Sequence, residues 1–206
     1  MITIVALAIL VFLNPVWVGF EQDRTGAAQL TGFDQPTVHA VTNSILHDLA
    51  FGPPDFGVAV NGVLVLGERE RAHMVDVRGV FFGFGGIALL AVLVFINLAI
   101  FGRGQAWFRQ AVRRAAVVLA VLVVVLGVVA AVAFDAVFEI FHELFFPANS
   151  FNFAADSKLI QLFPDQFWFE TSLLLGVVIV GLCAVFAVLA RGGREAGSMP
   201  QPGGPA

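Results

Sequence analysis

Residues 115–134 read AAVVLAVLVVVLGVVAAVAF, twenty positions without a charge or a hydrogen-bonding side chain. A helix of that length rises about 30 Å at about 1.5 Å per residue, the hydrocarbon thickness of a bilayer. The stretch therefore predicts a membrane-spanning helix. Just beyond it, residues 138–169 read FEIFHELFFPANSFNFAADSKLIQLFPDQFWF. There Glu139, His142, Glu143, Asp156, Lys158 and Asp165 stand among nine phenylalanines and a tryptophan. Ionisable groups at a bilayer boundary are costly unless they are paired or used, so this is where a site is expected.

Three further apolar runs are long enough to span: residues 2–20, 79–101, with only Asn97 polar, and 173–190. The chain is 59% hydrophobic and 13% charged, a balance that no soluble domain of this size needs. The expected fold class is an all-α integral membrane protein, a bundle of four transmembrane helices. A single membrane domain, residues 1–190, is followed by a Gly/Pro/Ser-rich tail, 191–206, expected to be disordered. The first run lacks the basic start and small-residue cleavage site of a secretory signal. It reads as a retained span kinked at Asn14-Pro15. The lone cysteine, Cys183, lies inside an apolar run and reads as a buried spectator thiol.

Arginine and lysine set the expected orientation. Residues 102–114 carry Arg103, Arg109, Arg113 and Arg114 and no acid, whereas the connections 21–78 and 135–172 carry five basic residues against fourteen acids. Both termini and the arginine loop are thus expected in the cytoplasm, with the two acidic connections outside.

The first outer segment reads as a cap. Residues 36–49 form a helix with Val38, Val41, Ile45 and Leu49 on its apolar stripe, and His39, Asn43 and His47 on a solvated face. Two β-prone triplets, 58–60 and 63–65, flank Asn61-Gly62, the strongest short hairpin signal. Residues 68–78 form a helix that enters the second span, and His73 and Asp76 share a face of it. The spacing of Gly79 and Gly83 predicts close helix packing. In the second outer segment, Asp156 is expected to cap an interfacial helix over 157–163. Phe167, Trp168 and Phe169 suit an aromatic belt at the membrane surface.

The third span is expected to continue as helix to Phe146, where Pro147 ends it. Asp135, Glu139, His142 and Phe146 then line one face, with Glu143 beside them. His142 lies about 12 Å past the apolar limit and His73 about 9 Å before Gly79, so the two stand at similar height on one side. Imidazoles with carboxylates nearby permit general acid–base catalysis. They also permit metal binding by His73, Asp76, Glu139 and His142, although Glu139-x-x-His142 lacks the second copy that di-iron helices carry. A third possibility is a non-catalytic membrane scaffold.

Three segments carry a resemblance. AHMVDVRGVF (72–81), FHELFFPANSFNF (141–153) and DSKLIQLFPDQFW (156–168), in that order on four spans, resemble the bacterial integral membrane family of the lipoprotein intramolecular transacylase, Lit. Where that family tends to have tryptophan after the F-F element, this chain has Phe151 and Phe153. The resemblance implies an acyltransferase of the bacterial cytoplasmic membrane. It would move the sn-2 acyl chain of a lipoprotein's diacylglyceryl-cysteine to the cysteine's own α-amine, giving the lyso form. His73 and His142 are then the catalytic pair, with Asp76, Glu139, Glu143 and Asp156 in support. Diacylated lipoprotein and membrane lipid are the implied partners, with no cofactor, metal or nucleic acid. The sequence leaves the oligomeric state and the division of roles between the histidines open.

Overall fold

A computed structural model of the chain describes residues 1–102 and 104–191. The elements run α1 (Ile2–Phe12), α2 (Pro15–Thr25), α3 (Ala27–Thr31), α4 (Gln35–Ala50), β1 (Ala59–Val60), β2 (Val63–Leu64), α5 (Glu68–Gly102), α6 (Ala106–Val132), α7 (Phe134–Phe145), α8 (Lys158–Leu162) and α9 (Asp165–Leu189). Helices α5, α6 and α9 are each long and apolar enough to cross a membrane, and α1 with α2 makes a fourth span if that bent pair is counted as one.

The first span is broken rather than kinked. α1 and α2 meet at 63°. Asn14 accepts a hydrogen bond from the Trp17 amide at 3.0 Å and so starts a new helix, with Pro15 in its first turn. The turn sends Glu21, Gln22, Asp23 and Arg24 into the cap instead of along a membrane axis. The third span also departs from expectation. Ala133 takes φ −138° and ψ 51°, which separates α7 from α6. The expected arginine loop is shorter than read, because Arg109, Arg113 and Arg114 already lie in α6. The tail beyond Arg191 lies outside the described residues.

Two cores organise the chain. The cap core gathers Val38, Val41 and Ile45 of α4 with Phe56, Leu66, Met74, Leu159 and Leu162. The apolar stripe read from α4 is therefore its buried face. The bundle core is smaller: Ile4 and Ala8 of α1, Ala116 and Leu119 of α6, Ile179 and Cys183 of α9. The hairpin forms as read, with Ala59 opposite Leu64 and Val60 opposite Val63. Asn61 (φ 52°) and Gly62 (φ 80°) supply the two left-handed residues of a type I′ turn. The close packing expected at Gly79 and Gly83 is absent: a Cβ at either would meet nothing within 4 Å.

α5 joins the two regions. It runs unbroken for 35 residues from the cap into the bundle. Arg78 fastens it to the end of α4 by donating to the carbonyls of Asp48 and Gly52, the latter at 2.6 Å. At the other side of the cap, the buried Gln22 amide donates to Thr42 Oγ1 and to the Leu162 carbonyl, both at 2.9 Å, tying α2, α4 and α8 together.

Candidate active site

His73 lies in the second turn of α5 and is only 6% exposed. His142 lies in the last turn of α7. Their rings stack with centroids 6.1 Å apart and 25° between planes. Helices distant in sequence thus bring together the two imidazoles that the height argument paired.

Aromatic rings enclose the pair. Phe146 and Phe153 meet His73 edge-on at 4.8 and 5.5 Å. Phe138, Phe151, Phe146 and Phe141 surround His142 at 4.1 to 5.5 Å. An apolar wall of this kind disfavours charge inside it. Burial first, and then the neighbouring His142, push the His73 imidazole down to about 4, against a smaller upward pull from Asp76. His73 is therefore neutral at neutral pH, and its buried Nδ1 has no partner among the described residues. His142 Nδ1 lies 2.7 Å from the Phe138 carbonyl. A carbonyl only accepts, so Nδ1 carries the hydrogen and, in the neutral ring, the lone pair is on Nε2.

The carboxylates sort differently from the sequence reading. Asp76 sits three residues past His73 and acts on it electrostatically. Glu139, Glu143 and Asp156 are exposed. Asp156 does not cap α8; Ser157 holds that position. Among the described residues no group of three or more His, Cys, Asp and Glu gathers in a metal-binding arrangement. His39 stands on the solvated face as read, and there pairs with Asp23 of α2 at 2.8 Å.

Sequence reading missed two neighbours one turn before His73. Arg69 donates to the carbonyls of Asn149 and Asn152 at 3.0 and 3.2 Å and lies over the Phe153 ring. Glu70 is buried and accepts from the Leu159 amide at 2.8 Å, from Ser157 Oγ and from the Gly67 amide at 2.5 Å. The sequence signal was present, since Glu70 stands three residues after Gly67, the capping-box spacing.

A helical membrane protein with two imidazoles stacked in one aromatic nest is equipped for proton transfer on a lipid-borne substrate. The chain belongs to a family of that class: the model of the lipoprotein intramolecular transacylase Lit family matches residues 1–168. Membership makes it a membrane acyltransferase. The fold is also that of the solved Lit of Bacillus cereus, at a TM-score of 0.80 and 18% identity, covering 92% of this chain and 88% of that one. Two variants of that protein, with one histidine replaced by arginine or by alanine, each align at a TM-score of 0.72 and 18% identity. They too cover 92% of this chain, and 84% and 86% of their own. No curated protein matches the chain in sequence.

Proposed function

We propose that the chain moves the sn-2 acyl group of a membrane lipoprotein's diacylglyceryl-cysteine to that cysteine's α-amine, with His142 as general base and His73 as hydrogen-bond donor to the oxyanion. The observation that carries this reading is the stacked pair, 6.1 Å apart, in which His142 Nδ1 is held by the Phe138 carbonyl and burial keeps His73 neutral. Hydrogen bonds of about 3 Å from each ring to one reacting centre span a comparable distance.

The α-amine has a pKa of about 8 and must shed its ammonium proton before attack. As the free amine attacks the ester carbon, His142 Nε2 takes a second proton. The carbonyl electrons move onto oxygen, where a neutral His73 N–H stabilises them without itself changing charge. When the intermediate collapses, the bond to the glyceryl sn-2 oxygen breaks and the His142 imidazolium returns its proton to that oxygen. An amide forms, an ester is lost, and no cofactor enters the balance. Amine and ester belong to one molecule, so the site has mainly to fold the substrate correctly.

The arginine distribution supports N-in, C-in topology, with residues 1–190 as one membrane domain and the site at the outer leaflet of the bacterial cytoplasmic membrane. Cysteines introduced as Asp55→Cys and Asn149→Cys should react with an impermeant thiol reagent in intact cells, and Gln105→Cys should not. The reverse pattern sinks this placement.

The deciding experiment is mass spectrometry of lipoprotein N-terminal peptides after co-expression with this protein. The N-acyl, S-monoacylglyceryl form should appear with total acyl carbon unchanged. If no lyso form arises from any diacylglyceryl lipoprotein supplied, the reading fails for this chain.

A further inference from the structure

Two of the five rings around the imidazoles, Phe138 and Phe141, come from α7, but Phe146, Phe151 and Phe153 belong to or border the irregular connection 146–157. Irregular chain has no ladder of its own to hold it, so its position depends on what grips it. Two consecutive residues of α5 do so. The Arg69 guanidinium bridges the carbonyls of Asn149 and Asn152 while covering the Phe153 ring at 5.6 Å. Asn149 itself sits at φ 64°, a left-handed conformation in which a non-glycine residue needs support from its surroundings. At the far end, Glu70 Oε1 accepts from Ser157 Oγ and from the Leu159 amide, and its Oε2 holds the start of α5 through the Gly67 amide. Hydrogen bonds to a charged partner are stronger than neutral ones, and a carboxylate that bridges two segments fixes their relative position.

We propose that Arg69 and Glu70 are the positioning residues of the active site: they latch the 146–157 connection to the helix that carries His73, and so hold Phe151 and Phe153 against the imidazoles. The proposal rests on the catalytic reading of the histidine pair, but the latch has a readout independent of the reaction. Because His73 follows one turn later on the same helix, slack in the latch becomes displacement between His73 and the wall that encloses it. Misplacement of reacting groups by about 1 Å can cost about 10²-fold in rate.

The test uses the full-length protein in detergent–lipid micelles with a synthetic diacylglyceryl lipopeptide, with product measured by mass spectrometry and backbone protection by hydrogen exchange. Glu70→Ala and Arg69→Ala should lower kcat about 10- to 100-fold with KM changed less than about twofold. Glu70→Gln keeps one acceptor oxygen and should recover part of the lost kcat. In both alanine variants, amides of residues 148–157 should exchange faster while those of α6 and α9 do not. Gln22→Leu, which cuts a different buried tie of the cap, should lower the melting temperature without moving kcat. Arg69 is exposed, so Arg69→Ala remains informative if Glu70→Ala does not fold. Unchanged exchange over 148–157 overturns the latch, and so does faster exchange with wild-type kcat. If wild-type protein makes no product while the exchange result holds, the acyl-transfer reading is what fails, and the latch stands.

Discussion

The cap and the bundle hide their residues by opposite means. In the cap, Val38, Ile45, Phe56, Leu66 and Leu162 are nearly sealed from the surface, and polar ties such as Gln22–Thr42 close the gaps between short elements. In the bundle, residues at least as apolar point outward: Leu89 and Leu93 of α5, Val125 and Leu126 of α6, Val177 and Val188 of α9. Only small contacts around Ala8, Ala116 and Cys183 are buried there. One end of the molecule follows the rule for water, where apolar area is removed from solvent. The other follows the rule for hydrocarbon, where lipid tails are as good a neighbour as leucine. The site sits on the seam, where one long helix changes from the first solvent to the second.

The largest expected effect tests whether that seam is where the chemistry lies. His142→Ala and His73→Ala should each reduce lipoprotein conversion by about 10²- to 10⁴-fold while both proteins still accumulate in the membrane. Wild-type conversion in both variants would leave the seam without a function. Next, Leu162→Ala in the cap should destabilise by about 2–5 kcal/mol, whereas Val125→Ala in the bundle should cost less than about 1 kcal/mol. Equal losses in a denaturation series would erase the contrast between the two regions. Smaller again, Gln22→Leu strands Thr42 and the Leu162 carbonyl and should cost about 1–3 kcal/mol; adding Thr42→Val should restore part of this, because one stranded partner is then removed.

A further effect concerns pH. His73 titrates at about 4 when folded and near its usual 6.5 when unfolded. Between those values the unfolded chain binds the extra proton, so stability present above about pH 6.5 is lost as pH falls toward about 4. Melting curves at about pH 7.5 and about pH 4.5 should show this decline, and His73→Phe should flatten the His73 part of it. An identical decline in His73→Phe would place the titrating group elsewhere.

What could be read from the sequence was whatever has a local cause. Three of the four apolar runs stand in helices long enough to cross, and the first stands in the bent pair. The Asn61-Gly62 turn is where two positive φ angles were needed. The histidines met because helix rise converts sequence distance into height. The failures arose where the cause is tertiary. Nothing in the Val-Ala run around Ala133 announces a break, since neither glycine nor proline stands there. Glu139 and Glu143 were placed near the site by helical spacing, but spacing does not say which side faces the partner, and both point to solvent. Asp156 looked like a cap one residue too early. The role of Glu70 depends on a segment 87 and 89 residues further along the chain. Gly79 and Gly83 carried a packing motif, but among the described residues nothing comes within 4 Å of a Cβ built at either.

α5 and the break at Ala133 together should make the candidate active site sensitive to bilayer thickness. Thirty-five residues of helix measure about 52 Å, well beyond a hydrocarbon layer of about 30 Å, so His73 rides on the projecting end of a stiff rod. His142 rides on a separate short helix beyond a joint. A thinner membrane tilts the rod as one piece, while the joint lets the short helix keep its own angle. Lengthening or shortening the acyl chains of the host lipid should therefore shift the two rings past each other, and turnover should peak in bilayers of one thickness.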